Sequence, residues 1–308
     1  MTENLLMFDR LLKEYNDGHE NVITIKYNEP MSRHTTFRIG GPADLYLIPK
    51  NQEALIHLCN MLRSTESRAF FLGNGSNVLF DDEGFRGAVV SLGGLCGIRV
   101  DGNTITADSG ALLSAVCKNA KEYSLTGLEF AYGIPGSVGG AVYMNAGAYN
   151  GEISHVLTES TYLDLDDGTV HTIDLNSHNF GYRESIYKRS HFVILSASFK
   201  LKEGNKDEIG EVMNDFMNRR VTKQPLEYPS AGSVFKRYPG RFTGQMIDEC
   251  GLKGFSIGGA AVSEKHAGFI INKGGATASD VRSLIEHIKK SVFDKFGCAI
   301  ECEVIYVK

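Results

Sequence analysis

The chain has 308 residues, 42% of them hydrophobic and 22% charged, with 32 Lys and Arg against 37 Asp and Glu and a formal net charge of −5. That is the composition of a globular protein with material for two or three cores. It argues against nucleic acid as the main partner, since phosphate binding favours a basic surface, and no apolar run approaches the ~20 residues that span a bilayer.

The N-terminal "MTENLLMFDRLLKEYND" interleaves charges with leucines and lacks the apolar core of a signal peptide, so a cytoplasmic location is expected. Residues 51–64 place Leu55, Leu58, Cys59 and Leu62 on one helical face. "AFFLGNGSNVLF" predicts a strand entering a loop of Gly73, Asn74, Gly75, Ser76 and Asn77. Val78 occupies the third glycine position of G-x-G-x-x-G, and strand and turn follow instead of a helix, which argues against a Rossmann site. Backbone N–H groups in such a loop suit phosphate oxygens; an ordinary strand-ending turn explains it equally well.

"IRVDGNTITAD" predicts a hairpin around Asp101-Gly102, and 109–124 a second amphipathic helix through Leu112, Leu113, Val116, Cys117 and Ala120. Residues 132–151 then hold six glycines, Gly133, Gly136, Gly139, Gly140, Gly147 and Gly151. Turns account for one or two of these; the density points to backbone pressed against a flat or phosphate-bearing ligand. With the 73–77 loop it fits a large dinucleotide cofactor, without identifying it. A hairpin around Asp167-Gly168, a long strand "HFVILSASFKL" and a polar linker at 202–208 come next. "TASDVRSLIEHIKKSVFDKFG" is the clearest helix, with a Thr277/Asp280 cap, a stripe from Val281 to Phe296 and a stop at Gly297. "AIECEVIYV" reads as a final strand. The fold class is α+β, with a strand-rich centre from about 86 to 201.

Six scattered cysteines form no C-x-x-C, and no histidine pair lies near Cys298 and Cys302, so they are expected to be mostly buried thiols without a metal. Ser233-Val-Phe-Lys236 fits S-x-x-K, the nucleophile motif of penicillin-recognising enzymes. Ser185-Ile-Tyr-Lys188 fits it too, and the companion motifs S-D-N and K-T-G are missing, so serine acyl transfer or hydrolysis is a weak alternative. A non-catalytic nucleotide-binding module is another, which the glycine loops alone would support.

"HTTFRIGGPAD", "FLGNGSNVL", "GIPGSVGGAVYMNAGAY", "FGYRES", "PSAGSVFKR" and "KHAGFIIN" occur in that order, from about residue 20 to the end of the chain. Together they closely resemble the UDP-N-acetylenolpyruvoylglucosamine reductase family of peptidoglycan precursor synthesis, in the shorter form that lacks an extra tyrosine-bearing loop. Two departures stand out: Tyr238 replaces a proline of the usual "FKRPPG", and Cys302-Glu303-Val304 stands for the usual Pro-Glu-Val.

The resemblance implies an FAD-binding region of two subdomains, of the type found in vanillyl-alcohol oxidase-like flavoproteins, and a C-terminal substrate domain. On this chain that gives 1–90 (completed by about 297–308), 91–205 and 206–296. It implies non-covalent FAD, because "GNGSN" lacks the histidine often used for covalent attachment, which also separates the chain from oxidases of the same fold. NADPH is the implied hydride donor. The cofactor residues would be the 73–77 loop, Tyr132, Gly133, Ile134, Pro135, Gly136, Ser137, Gly139, Gly140, Asn145, Gly147 and Arg220. Ser233 would be the proton donor, Arg183 the carboxylate-side cation and Glu303 its partner, with Glu301 as the competing glutamate; Lys223 and Lys236 would contact a nucleotide-sugar substrate. No nucleic acid or membrane partner is expected, and the chain is expected to be a monomer or weak oligomer.

Overall fold

The computed structural model describes every residue, Met1–Lys308, and the chain divides into two compact units, each drawn from separate stretches of sequence. The first comprises Met1–Tyr27, Asp44–Asn74 and Gly87–Asn218; the second comprises Asn28–Ala43, Gly75–Arg86 and Arg219–Lys308.

The first unit has two cores. One packs helices α1 (Glu3–Gly18) and α2 (Gln52–Ser64) on a four-stranded sheet in which Ala69–Leu72 runs parallel to Phe85–Ser91. Leu55, Leu58, Cys59 and Leu62 face that core as the spacing predicts, and Asn51 caps α2 by accepting from Ala54 N–H. The other core lies against a five-stranded antiparallel sheet with Leu157–Asp164 and Phe192–Lys200 at its centre. Helices α3 (Leu113–Glu122) and α4 (Val138–Met144) bury Val116, Cys117, Val138 and Val142 in it. The predicted hairpins are both present, although the second turns over residues 165–169 instead of a tight pair.

Three expectations are corrected here. Helix α3 begins at Leu113, not 109, because residues 109–110 form a turn closed by Ala111 N–H donating to Asp108 O, with Ser109 N–H donating to Leu195 O and Gly139 N–H to Ser109 O. Residues 202–208 are not a linker: Lys202–Glu203 pairs with Leu125–Thr126, and helix α5 (Lys206–Lys223) starts within the segment. All six cysteines are free thiols as expected, but only Cys59 and Cys117 are buried, and Cys96 is exposed.

The second unit packs α6 (Thr243–Glu249) and α7 (Ala278–Phe296) on a four-stranded antiparallel sheet. Thr277 and Asp280 form the predicted capping box, and Gly297 ends α7 at φ +66°. "AIECEVIYV" is a strand only over Ile305–Val307, which pairs parallel with Val78–Phe80. Before it, the chain runs beside the Ser233 segment: Lys236 N–H donates to Glu301 O, Phe235 bridges Cys302, and Glu303 N–H donates to Val234 O. No helix is long and apolar enough to cross a membrane.

Candidate active site

In the first unit the two glycine-rich stretches meet. Asn74 Nδ2 donates to Pro135 O at 2.8 Å, and a Cβ on Gly73 would lie 2.5 Å from Ser137 Oγ. Ser137 caps α4 through Gly140 N–H. The glycines here answer to different demands. A Cβ on Gly139 would lie 2.9 Å from Ser109 Cβ, and one on Gly147 2.7 Å from Gly151 O, so the chain's own packing requires both. Gly136 and Gly140 are different, because their Cβ atoms would meet nothing closer than 3.7 and 3.5 Å. Glycine at these two positions is not required by the protein, which is what a face laid against a flat cofactor would leave. The Ser109 hydroxyl, fully buried against Gly139, has no hydrogen-bond partner. These residues fit a dinucleotide held against backbone.

Arg183 stands on the same unit in the left-handed region, φ +58°. Its guanidinium donates to Gly147 O at 3.1 Å and Asn145 O at 3.4 Å, and stacks over Tyr182 at 5.1 Å. Asn145, expected at the cofactor, is 1% exposed and serves as a joint: it donates to Gly181 O and Glu152 Oε1 and accepts from Ser154 N–H. Burial raises the Glu152 carboxyl, but hydrogen bonds from Ser154 and Asn145 outweigh it and hold the group below the usual range.

In the second unit Ser233 ends the strand Ser230–Ser233, where the register against Phe269–Asn272 slips and Gly232 turns left-handed at φ +75°. A bulge of this kind re-aims the next side chain, and Ser233 is exposed while Ala231 and Val234 are buried. Its hydroxyl donates weakly to Phe235 O at 3.3 Å. A Cβ placed on Gly268 would lie 3.3 Å from Ser233 Oγ and 3.2 Å from His266 Nδ1, so the two side chains share one small space. Nδ1 accepts from Gly268 N–H, which leaves the imidazole hydrogen on Nε2, and burial holds the ring below the usual histidine pKa. His266 was not singled out from the sequence, although it sits in the "KHAGFIIN" motif.

Asn77 donates to Glu303 O at 3.2 Å and its carbonyl accepts from Ile305 N–H, so the end of the glycine loop anchors the segment carrying Glu303. Gly75, at φ +63°, packs against His34 O, and its carbonyl accepts from Thr36 N–H. Glu301 is the more exposed of the two glutamates and pairs with Lys236 Nζ at 2.9 Å. Nothing in these surroundings supports the S-x-x-K acyl-transfer reading of Ser233, and in the second copy of the motif Ser185 is buried, donating to Tyr143 O. Arg220 and Lys223 lie on the last turn of α5, where Arg220 donates to Gln224 Oε1 at 3.0 Å and Lys223 is exposed. Tyr238 makes use of the N–H that a proline would lack, donating it to Thr243 Oγ1 at 3.1 Å.

The profile of an "FAD binding domain" family matches residues 43–174, and that of the "UDP-N-acetylenolpyruvoylglucosamine reductase, C-terminal domain" matches 224–307. UDP-N-acetylenolpyruvoylglucosamine reductase of Clostridium perfringens is 48% identical over 96% of each chain, and that of Clostridium botulinum strain Eklund 17B is 49% identical over 90% of this chain and 91% of its own. The crystal structure of UDP-N-acetylenolpyruvylglucosamine reductase from Thermus caldophilus superposes with a TM-score of 0.79 at 34% identity, covering 93% of this chain and 99% of that one. The chain belongs to the UDP-N-acetylenolpyruvoylglucosamine reductase family of FAD-dependent oxidoreductases.

Proposed function

We propose that this protein reduces the enolpyruvyl ether of UDP-N-acetylglucosamine enolpyruvate to UDP-N-acetylmuramate, a step of peptidoglycan precursor synthesis, with NADPH as the electron source. FAD, held by the 73–77 loop and the 132–147 stretch, would supply the hydride chemistry linking the reduced nicotinamide to the substrate's methylene carbon. The adjacent carbon, which carries the carboxylate, becomes a carbanion and must be protonated. Arg183 supplies a planar cation for the carboxylate, where the charge spreads as an enolate. Ser233 delivers the proton from Oγ and regains it from solvent. A serine hydroxyl is a poor acid in water, but a carbanion is a strong enough base to take its proton. Glu303 supports the enolate from the segment that Asn77 anchors. Lys223 and Lys236 contact the nucleotide-sugar, and Arg220 the flavin phosphates.

The observation that carries this reading is Ser233 itself, an exposed hydroxyl aimed by a glycine bulge. Rapid mixing separates the two half-reactions. Ser233→Ala should leave NADPH-driven flavin reduction intact and slow reoxidation by the enolpyruvyl substrate by roughly 10²–10⁴-fold, with Ser233→Cys between Ala and the parent. Reoxidation at the parent rate in Ser233→Ala would show the serine to be structural. Glu303→Gln should also slow reoxidation, whereas Glu301→Gln removes only a solvent-exposed ion pair worth about 0–1 kcal/mol.

A further inference from the structure

Arg183 lies in a loop whose two flanks are tied to one another by a single buried hydroxyl. His178 lies on the N-terminal flank and Tyr187 on the C-terminal flank. Ser160, on the central strand Leu157–Asp164, contacts His178 Nε2 at 2.6 Å and Tyr187 Oη at 2.5 Å. The three residues are 1%, 0% and 2% exposed, respectively.

The hydrogens in this chain have one consistent arrangement. His178 Nδ1 is 2.7 Å from Asp174 O, and a carbonyl only accepts, so the ring hydrogen is on Nδ1. Nε2 is then an acceptor, and Ser160 must donate to it. With its hydrogen committed, the serine oxygen accepts from Tyr187. Burial pushes the tyrosine up to about 12, so it remains a donor. A buried polar chain like this fixes the position of its members, because breaking any one bond leaves a buried group unsatisfied.

What it fixes is a strained turn. Gly181 and Glu184 bond each other across it at 3.1 and 3.2 Å, and both Asn179 and Arg183 are left-handed at φ +50° and +58°. Two non-glycine residues in that region persist only where the surroundings over-determine them. Ser185 Oγ adds a tether to Tyr143 O on α4.

We propose that Ser160, with His178 and Tyr187, is the positioning group that sets the Arg183 guanidinium for the substrate's carboxylate; this rests on the role proposed for Arg183. None of the three touches substrate. They act through the loop, and misplacing such a cation by about 1 Å costs up to roughly 10²-fold.

The test is a double-mutant cycle in the flavin-loaded enzyme. Ser160→Ala should slow reoxidation by UDP-N-acetylglucosamine enolpyruvate about ten- to a hundred-fold, leave NADPH-driven flavin reduction within about two-fold, and be largely rescued by Ser160→Thr. In an Arg183→Ala background, Ser160→Ala should have no further effect. Equal slowing with and without Arg183, or equal slowing of both half-reactions, would make the network merely structural and overturn the inference. Tyr187→Phe, which removes one donor and keeps the serine bond to His178, gives the same cycle if Ser160→Ala does not fold. If Arg183→Ala itself turns over normally, the role of Arg183 is wrong. If Arg183→Ala is slow and the Ser160 and Tyr187 variants are normal, only the positioning inference fails.

Discussion

Two neighbouring glycines on α4 meet different surroundings. A Cβ on Gly139 would crowd Ser109, whereas one on Gly140 would touch only Ser137 Oγ at 3.5 Å. Alanine in place of a helical glycine is favourable by roughly 0.5–1 kcal/mol. Gly140→Ala should therefore keep or raise the melting temperature of the flavin-free protein while lowering flavin occupancy, read from flavin absorbance after purification. Gly139→Ala should lower the melting temperature. Full occupancy in Gly140→Ala would remove this face from the cofactor. The glycine density at 132–151 was legible in the sequence; that the chain's own packing requires Gly139 was not, because that depends on Ser109, far away in sequence. Asn145 was legible as part of the same motif, yet its side chain is spent on Gly181 and Glu152. Ser233 was legible through the motifs, and the Gly232 bulge that exposes it was not, since a bulge is defined by the strand opposite.

The local elements were the readable ones. Helix α7 carries its boundaries in its own residues, Thr277, Asp280 and Gly297, and forms where the pattern predicts. The error at α3 came from treating 109–112 as helix when a turn at 109–110 and long-range bonds at Ser109 occupy it. The loop at 174–189 was legible only for Arg183, since its lock uses Ser160 on a distant strand. That lock has a pH signature. Burial lowers the His178 pKa below its unfolded value of 6.5, so the unfolded chain binds a proton that the folded one does not. Stability from this group is complete above about pH 6.5 and falls as pH drops toward the folded pKa. His266 is lowered by burial as well and acts in the same window. Melting temperature should decline from pH 7 to pH 5, and His178→Gln should make that decline shallower. Carboxylates held low, such as Asp280 and Glu152, act only at lower pH, where they are protonated. An unchanged slope in His178→Gln would mean that the ring is already charged in the folded protein.

At the scale of the whole molecule, the second unit is assembled from residues 28–43, 75–86 and 219–308, so its stability depends on pairings across most of the chain. Composition and periodicity carry no record of such closure. The expectation that the C-terminal end completes a subdomain of the first 90 residues came from the family resemblance; within the second unit the C-terminal end makes one short strand pairing. Ile305–Val307 runs parallel to Val78–Phe80, Ile305 N–H donates to Asn77 O, and Asp81 N–H donates to Val307 O at 2.8 Å. Tyr306 adds its hydroxyl to Asp81 and sits under the Arg282 guanidinium of α7. Contacts this far apart in sequence recover their loop-closure entropy only when the whole unit is formed. Deleting residues 305–308 removes the partner strand of Val78–Phe80 and one of the two bonds by which Asn77 holds the Glu303 segment. Hydrogen exchange should then accelerate at Val78–Phe80 and at residues 234–236, which bond to the same C-terminal segment. Protection in Phe192–Lys200, central to the other unit, should change much less. Substrate-driven flavin reoxidation should slow along with the exchange change, because Glu303 loses its anchor. Uniform loss of protection across both units would show that they unfold as one body, and unchanged protection at 78–80 would show that this strand pair closes nothing.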